Sequence, residues 1–157
     1  MEHPSRYLDI LVDDSSWESF DYSYLEDIAR LVLAHFGYEK YLFEICLYLT
    51  GDKKIQELNL DYRGKDKPTN VLSFEGDLEF SETEPVLLGS IAIAYEYSFN
   101  EAESVKISFK DHLTHLFIHG MLHLLGYDHI YDEDFEKMKE LEILFLEKLN
   151  ISNPYEE

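Results

Sequence analysis

The sequence predicts an α+β fold: a mixed sheet of about four strands with helices, in a single domain over residues 1–157. Three observations carry this expectation. Strand-like segments gather in the first two thirds of the chain and alternate with helix-like ones, while the C-terminal third is helical. A chain of 157 residues that is 45% apolar and 15% aromatic can build one core. At this size it buries roughly 70% of its unfolded surface and needs no disulfide to fold.

The elements follow in order. Tyr7 to Val12 alternates loosely and is rich in β-formers, which predicts a strand. From Asp21 to Phe36, Leu25, Ile28, Ala29, Val32 and Phe36 recur at helical spacing, and Gly37 offers a C-terminal stop. Tyr41 to Thr50 reads as a strand, Lys53 to Asp61 as a short helix bearing Ile55 and Leu58, and Thr69 to Phe74 as a strand. Five of the ten residues from Glu75 to Glu84 are acidic and none is basic, as expected of a solvated loop. Val86 to Tyr95 is β-branched and apolar, a further strand. Ser108 and Asp111 have capping-box spacing and open an apolar helix to about Leu125, with Gly126 behind it. Asp132 to Leu149 is a last amphipathic helix with Phe135, Met138, Leu141 and Phe145 on one face. Strand order is not readable from these patterns.

Composition excludes several classes. No apolar run approaches the roughly 20 residues of a membrane span. Met1 to Arg6 lacks the basic-then-apolar pattern of a signal peptide, and Cys46 is the only cysteine. A soluble chain in a reducing, cytoplasmic location is expected, with no membrane partner. The 33 acidic against 13 basic residues give a formal charge of −20, which argues against general nucleic-acid or anionic-lipid binding.

Three of the seven histidines fall within His119-Gly120-Met121-Leu122-His123-Leu124-Leu125-Gly126-Tyr127-Asp128-His129. His119 and His123 are four residues apart on a predicted helix, on one face and about 6 Å apart along the axis. Two such imidazoles can share a metal ion. His129 reaches back only if the chain turns sharply, and Gly126 permits the positive φ that this requires. The expected metal ligands are therefore His119, His123 and His129. Three imidazoles leave a position open for water, as in catalytic zinc sites. Nickel, copper and iron also accept nitrogen ligands. The spacing His-x3-His-x2-Gly-x2-His equals that of metzincin proteases, which carry their Glu base directly after the first His. Here that position is Gly120. His112 and His115 extend the stripe, as outer donors that orient a ligand or as buried structural residues.

A second constellation runs from Leu58 to Phe74. Arg63, Lys65 and Lys67 place three of the 13 positive charges within five residues. In an acidic chain this local reversal marks a candidate anion site, and the alternative is a polar loop paired with carboxylates. Gly64 would allow close backbone approach, and Pro68 would stiffen the exit into the strand.

Together, Tyr62-Arg63-Gly64-Lys65-Asp66-Lys67-Pro68-Thr69-Asn70-Val71-Leu72-Ser73-Phe74 and the histidine motif closely resemble the bacterial YbeY family. A weaker element, Leu88-Gly89-Ser90-Ile91, lies between them. The family comprises metal-dependent endoribonucleases of ribosomal RNA maturation. The resemblance implies one Zn2+ per chain on His119, His123 and His129, making the helix central to the C-terminal third the metal-bearing one. It implies a catalytic role for Arg63 and cleavage of single-stranded RNA, in ribosomal RNA processing and ribosome quality control. It also implies the small ribosomal subunit and its assembly proteins as partners, and no DNA. Ser90 stands where the family element often has Asp, and His112 where many relatives carry Glu.

The expected chemistry is metal-assisted phosphodiester cleavage, with Arg63, helped by Lys65 or Lys67, holding the phosphate. Water or the 2′-hydroxyl of the RNA serves as nucleophile. A chain of charge −20 is expected to bind free RNA weakly and to receive its substrate from a particle or partner. The alternatives are a non-enzymatic ribosome-assembly factor with a structural zinc and a metalloprotease, which Gly120 disfavours.

Overall fold

The computed structural model describes residues 7–76, 81–127 and 132–155. Four strands, β1 (Leu8–Val12), β2 (Phe43–Thr50), β3 (Val71–Glu75) and β4 (Val86–Ala94), form one sheet of order β1-β2-β4-β3. β1, β2 and β4 run parallel, and β3 closes one edge antiparallel to β4. Among the described residues five α-helices accompany them: α1 (Leu25–His35), α2 (Asp52–Arg63), α3 (Tyr95–Val105), α4 (Phe109–Leu124) and α5 (Asp132–Lys148). No helix among the described residues is long and apolar enough to cross a membrane.

The alternation of each strand divides the sheet into two unequal faces. Ile45, Leu47 and Leu49 of β2 and Ile91 and Ile93 of β4 join the main core. Leu25, Ala29 and Val32 of α1, Phe117 and Met121 of α4, and Phe145 of α5 pack into the same core. On the opposite face α2 contributes Ile55, which forms a small second core with Leu72, Ala92 and Ala94. α2 covers only part of that face, and Leu11 of β1 stays 63% exposed.

Several boundaries differ from the sequence reading. α1 starts at Leu25 rather than Asp21 because the Asp21 carboxylate accepts from the Ser23 amide at 3.0 Å and the Ser23 hydroxyl at 2.6 Å. That local turn competes with the helix. α2 continues two residues past Asp61, so Arg63 is its last helical residue, and Gly64 caps it at φ +71. Nothing lies near a Cβ built at Gly64, so its role is the left-handed cap and not close approach. α3 was not expected at all. Tyr95, Tyr97 and Phe99 alternate as a strand would, and only Ser98 and Ala102 are fully buried. The helix shows itself through Tyr95 and Phe99, stacked at 5.7 Å one turn apart. A short 3-10 turn, Ser15–Ser19, was also missed; it buries Trp17, whose indole N–H donates to the Thr50 carbonyl at 2.9 Å. On α5, Met138 and Phe145 are buried as expected, but Phe135 is 42% exposed.

α4 passes close under β3 and β4. The register of β2 on β4 shifts at Glu44 and Ile45, which leaves Leu88 as an extra, bulged residue. Gly89 follows with φ +155, and a Cβ there would lie 2.4 Å from the Phe74 carbonyl oxygen and 2.5 Å from Leu124 Cδ2. At Gly120 of α4 a Cβ would meet Ile91 at 3.1 Å and the Ser73 hydroxyl at 3.2 Å. The helix and sheet approach this closely because both positions lack a side chain.

Gly89→Ala combines backbone strain with overpacking and is expected to destabilise the protein by about 3 kcal/mol in urea unfolding. Gly126→Ala meets only the strain of φ +104, with open space around its Cβ. It is expected to cost about 1–2 kcal/mol. Equal losses in the two variants would mean that close approach at Gly89 contributes nothing.

Candidate active site

α4 begins as the capping pattern predicts: the Ser108 hydroxyl accepts from the Asp111 amide at 3.1 Å. It then carries His112, His115, His119 and His123 along one stripe. The His119 and His123 rings stand edge to face, 4.8 Å between centroids. Gly126 leaves the helix with φ +104, the turn expected of it. His129, the third expected ligand, lies outside the described residues. Among the described residues no group of three or more ligand-type side chains gathers around one point.

The residue that organises the stripe is Glu142 of α5, 1% exposed. Its Oε1 meets His115 Nε2 at 2.5 Å and its Oε2 meets His119 Nδ1 at 2.9 Å. The Tyr155 hydroxyl donates to Oε1 at 2.6 Å. Burial alone pushes this carboxyl up, but the hydrogen bonds from His115 and His119 outweigh it and bring the group down to about 2. Burial, then the bond to the carboxylate, pushes the Tyr155 phenol up, so it stays a donor. An ionised carboxylate only accepts, so both histidines donate to it. In its neutral form His119 therefore carries its proton on Nδ1, and Nε2 is the nitrogen left with a lone pair. This carboxylate–histidine pairing is how metal-ligating imidazoles are held, so the donor set fits a metal ion. His115 reaches the same carboxylate and so touches His119 only through Glu142. His112 instead pairs with Glu101 at 2.9 Å, and Glu101 also accepts from Asn70 at 3.0 Å.

The half-covered sheet face forms an open groove of about 1190 Å³. Its floor is a row of register partners crossing the sheet: Asp9, Cys46, Ser90 and Phe74. Tyr48, Tyr62 and Leu58 add to the lining, and Arg63, Ser73, Glu75 and His123 bring both sequence motifs into one cavity. Arg63 is held at the β3 edge: its Nη2 donates to the Ser73 carbonyl at 2.8 Å, and its guanidinium lies 5.9 Å from the centre of the Phe74 ring. The Ser73 hydroxyl lies 3.4 Å from the Gly120 carbonyl oxygen, so one residue touches both the arginine and the histidine helix. Lys65 and Lys67 are exposed and do not line the groove. Their loop is tied down by the buried Asn59, whose carbonyl accepts from the Lys65 amide and whose side chain donates to the Lys67 carbonyl at 2.9 Å. Among the described residues no carboxylate forms an ion pair with Arg63, Lys65 or Lys67.

Sequence reasoning missed Glu142, Tyr155 and Ser73. Glu142 left a signal: it falls four residues after Met138 and three before Phe145, both buried. A charged residue on a core stripe needs partners.

Glu142→Gln keeps the shape but leaves one acceptor oxygen for three donors. It is expected to destabilise the metal-free protein by about 1–3 kcal/mol. It should also release His119 from its Nδ1–H tautomer, read by long-range proton–nitrogen NMR of the imidazoles. An unchanged His119 tautomer in this variant would show that Glu142 does not orient the ring.

Comparison with known proteins shows the family of the chain. A family model described as Endoribonuclease YbeY matches residues 12–150. Proteins named Endoribonuclease YbeY from Bartonella henselae and Paracoccus denitrificans are each 42% identical, covering 96% and 98% of this chain and 97% and 92% of their own. One from Acinetobacter baumannii is 46% identical over 85% of this chain and 86% of its own. The solution structure of TM1509 from Thermotoga maritima superposes with a TM-score of 0.52 at 26% identity, covering 96% of this chain and 99% of that one. The chain thus belongs to the YbeY endoribonuclease family.

Proposed function

We propose that this protein is a metal-dependent endoribonuclease that cleaves single-stranded RNA in ribosomal RNA maturation and ribosome quality control. The observation that carries the reading is the meeting of Arg63 and His123 in one groove, with His119 one turn back and held by Glu142. Zn2+ would be held by His119, His123 and His129, one ion per chain. When bound, zinc supplies Lewis acidity, polarising a phosphoryl oxygen and acidifying water. The small ribosomal subunit and its assembly proteins are the partners that fit this role, in the cytoplasm.

The chain's own residues do the rest. Arg63 has five N–H donors on a planar fork, and its bond to the Ser73 carbonyl fixes that fork at the groove wall. Held there, it grips a phosphate and stabilises the charge that develops on it. In the neutral ring the Glu142 carboxylate holds the His119 proton on Nδ1, which leaves Nε2 as the lone-pair nitrogen. Lys65 and Lys67, exposed beside the groove, add positive potential at the approach. Gly120, where a protease would carry its base, instead packs α4 against Ile91 and Ser73.

The test is cleavage of a labelled single-stranded RNA by zinc-loaded protein beside an equally folded His119→Ala variant. Activity is expected to disappear in the variant and after chelation, and to return on adding zinc to the wild type. Equal cleavage by both proteins would assign the activity elsewhere. Arg63→Ala is expected to lower kcat/KM by about 10²–10³-fold with zinc content unchanged, as for loss of one charge-stabilising donor.

A further inference from the structure

The open sheet face poses a physical question. β1, β2 and β4 are parallel, and parallel strands are normally covered on both faces. Here Leu11 is 63% and Tyr62 69% exposed on the groove side, next to the candidate active site. The groove's charges do not suit a phosphate track. Among the described lining residues Asp9 and Glu75 are carboxylates, and Arg63 is the one Lys or Arg. A strand lying with its backbone along this floor would bring several phosphates against two carboxylates. A strand with its bases on the floor would not.

From this the geometry points to a mode of recognition, which rests on the endoribonuclease reading: single-stranded RNA binds with its bases turned onto the sheet face and its phosphates turned out, only the one at Arg63 being gripped. The stacking surface is in place. Tyr62 packs on Phe74 with ring centres 5.2 Å apart, and Arg63 lies over the same Phe74 ring. Tyr48 is anchored by its hydroxyl on the Asp13 carboxylate at 2.5 Å, which fixes its ring as part of the lining. Base–aromatic stacking is tolerant of sequence because every base has a π-face. Asp9 and Glu75 accept amino protons of bases while repelling phosphate. His123 lines the same groove, so a base seated on Tyr62 and Phe74 places a neighbouring phosphodiester toward the histidines.

The experiment uses the full-length protein and a fluorescein-labelled, 2′-O-methylated single-stranded oligonucleotide, which cannot be cleaved through its 2′-hydroxyl and is verified intact on a gel after each titration, with an abasic strand of equal length as its twin. Binding is measured against salt concentration. One gripped phosphate predicts a slope of log K against log salt of about −0.7, and three predict about −2. We expect the shallow slope, at least ten-fold weaker binding of the abasic strand, and about ten-fold weaker binding by Tyr62→Ala that Tyr62→Phe restores. A slope near −2, or equal binding of the abasic strand, would overturn the inference. Because the probe is not cleaved, these outcomes stand apart from the nuclease assay. A protein that binds bases in this way but cleaves no RNA would overturn the proposed function and leave the recognition mode intact.

Discussion

The close passage of α4 beneath the β3–β4 edge is the constraint on which the rest of the site depends. Gly120 and Gly89 remove the side chains that would hold helix and sheet apart. With the gap closed, Ser73 lies between the two motifs, its carbonyl accepting from Arg63 and its hydroxyl lying against the Gly120 carbonyl. Arg63 and His123 are 60 residues apart in the chain yet line one groove. A displacement of α4 by one methyl radius would separate them, and misplacement on the ångström scale is what charge-stabilising sites tolerate least.

Glu142 adds a second constraint of a different kind. A buried carboxylate is costly unless its oxygens are fully engaged. Here three donors from α4 and the segment after α5 engage it. The arrangement contributes little net stability relative to an apolar core, but it defines one geometry: α5 cannot slide along α4 without leaving an unpaired buried charge. The same bonds that fix the helix register fix the tautomer of His119. Fold specificity and the orientation of the His119 ring therefore rest on one side chain, supported by Tyr155 with Lys139 5.0 Å from the centre of its ring.

What was legible in the sequence follows from the range of the physics involved. Strands β1 to β4, helices α1, α2, α4 and α5, the Ser108 cap and the turn at Gly126 are encoded in local periodicity and capping chemistry, and each lies close to where those patterns put it. α3 was hidden because its aromatics alternate and its buried stripe is made of small residues. The histidine pair and the basic segment were legible as motifs because spacing and charge are local. The cavity that joins Arg63 to His123 was not, since it depends on strand order, and order is set by long-range packing. Glu142 lay in between: its place on a core stripe was visible, but its partners sit 23 and 27 residues earlier on another helix.

The charge of the chain then ceases to be a paradox. A formal charge of −20 sets a long-range repulsion against any nucleic acid, screened over about 10 Å at ordinary salt. In the recognition mode proposed above, short-range contacts overcome it, made by base faces on the groove aromatics Tyr62, Phe74 and Tyr48. A duplex stacks its base faces inside and presents phosphates and 2′-hydroxyls outward. It would meet the repulsion with no stacking to offset it. A single strand can turn its bases onto Tyr62, Phe74 and Tyr48 and keep one phosphate at Arg63. On this reading the acidic surface and the aromatic floor act together, and a preference for unpaired RNA needs no element that inspects strandedness: it follows from which substrates can offer enough base surface to outweigh the field of the protein.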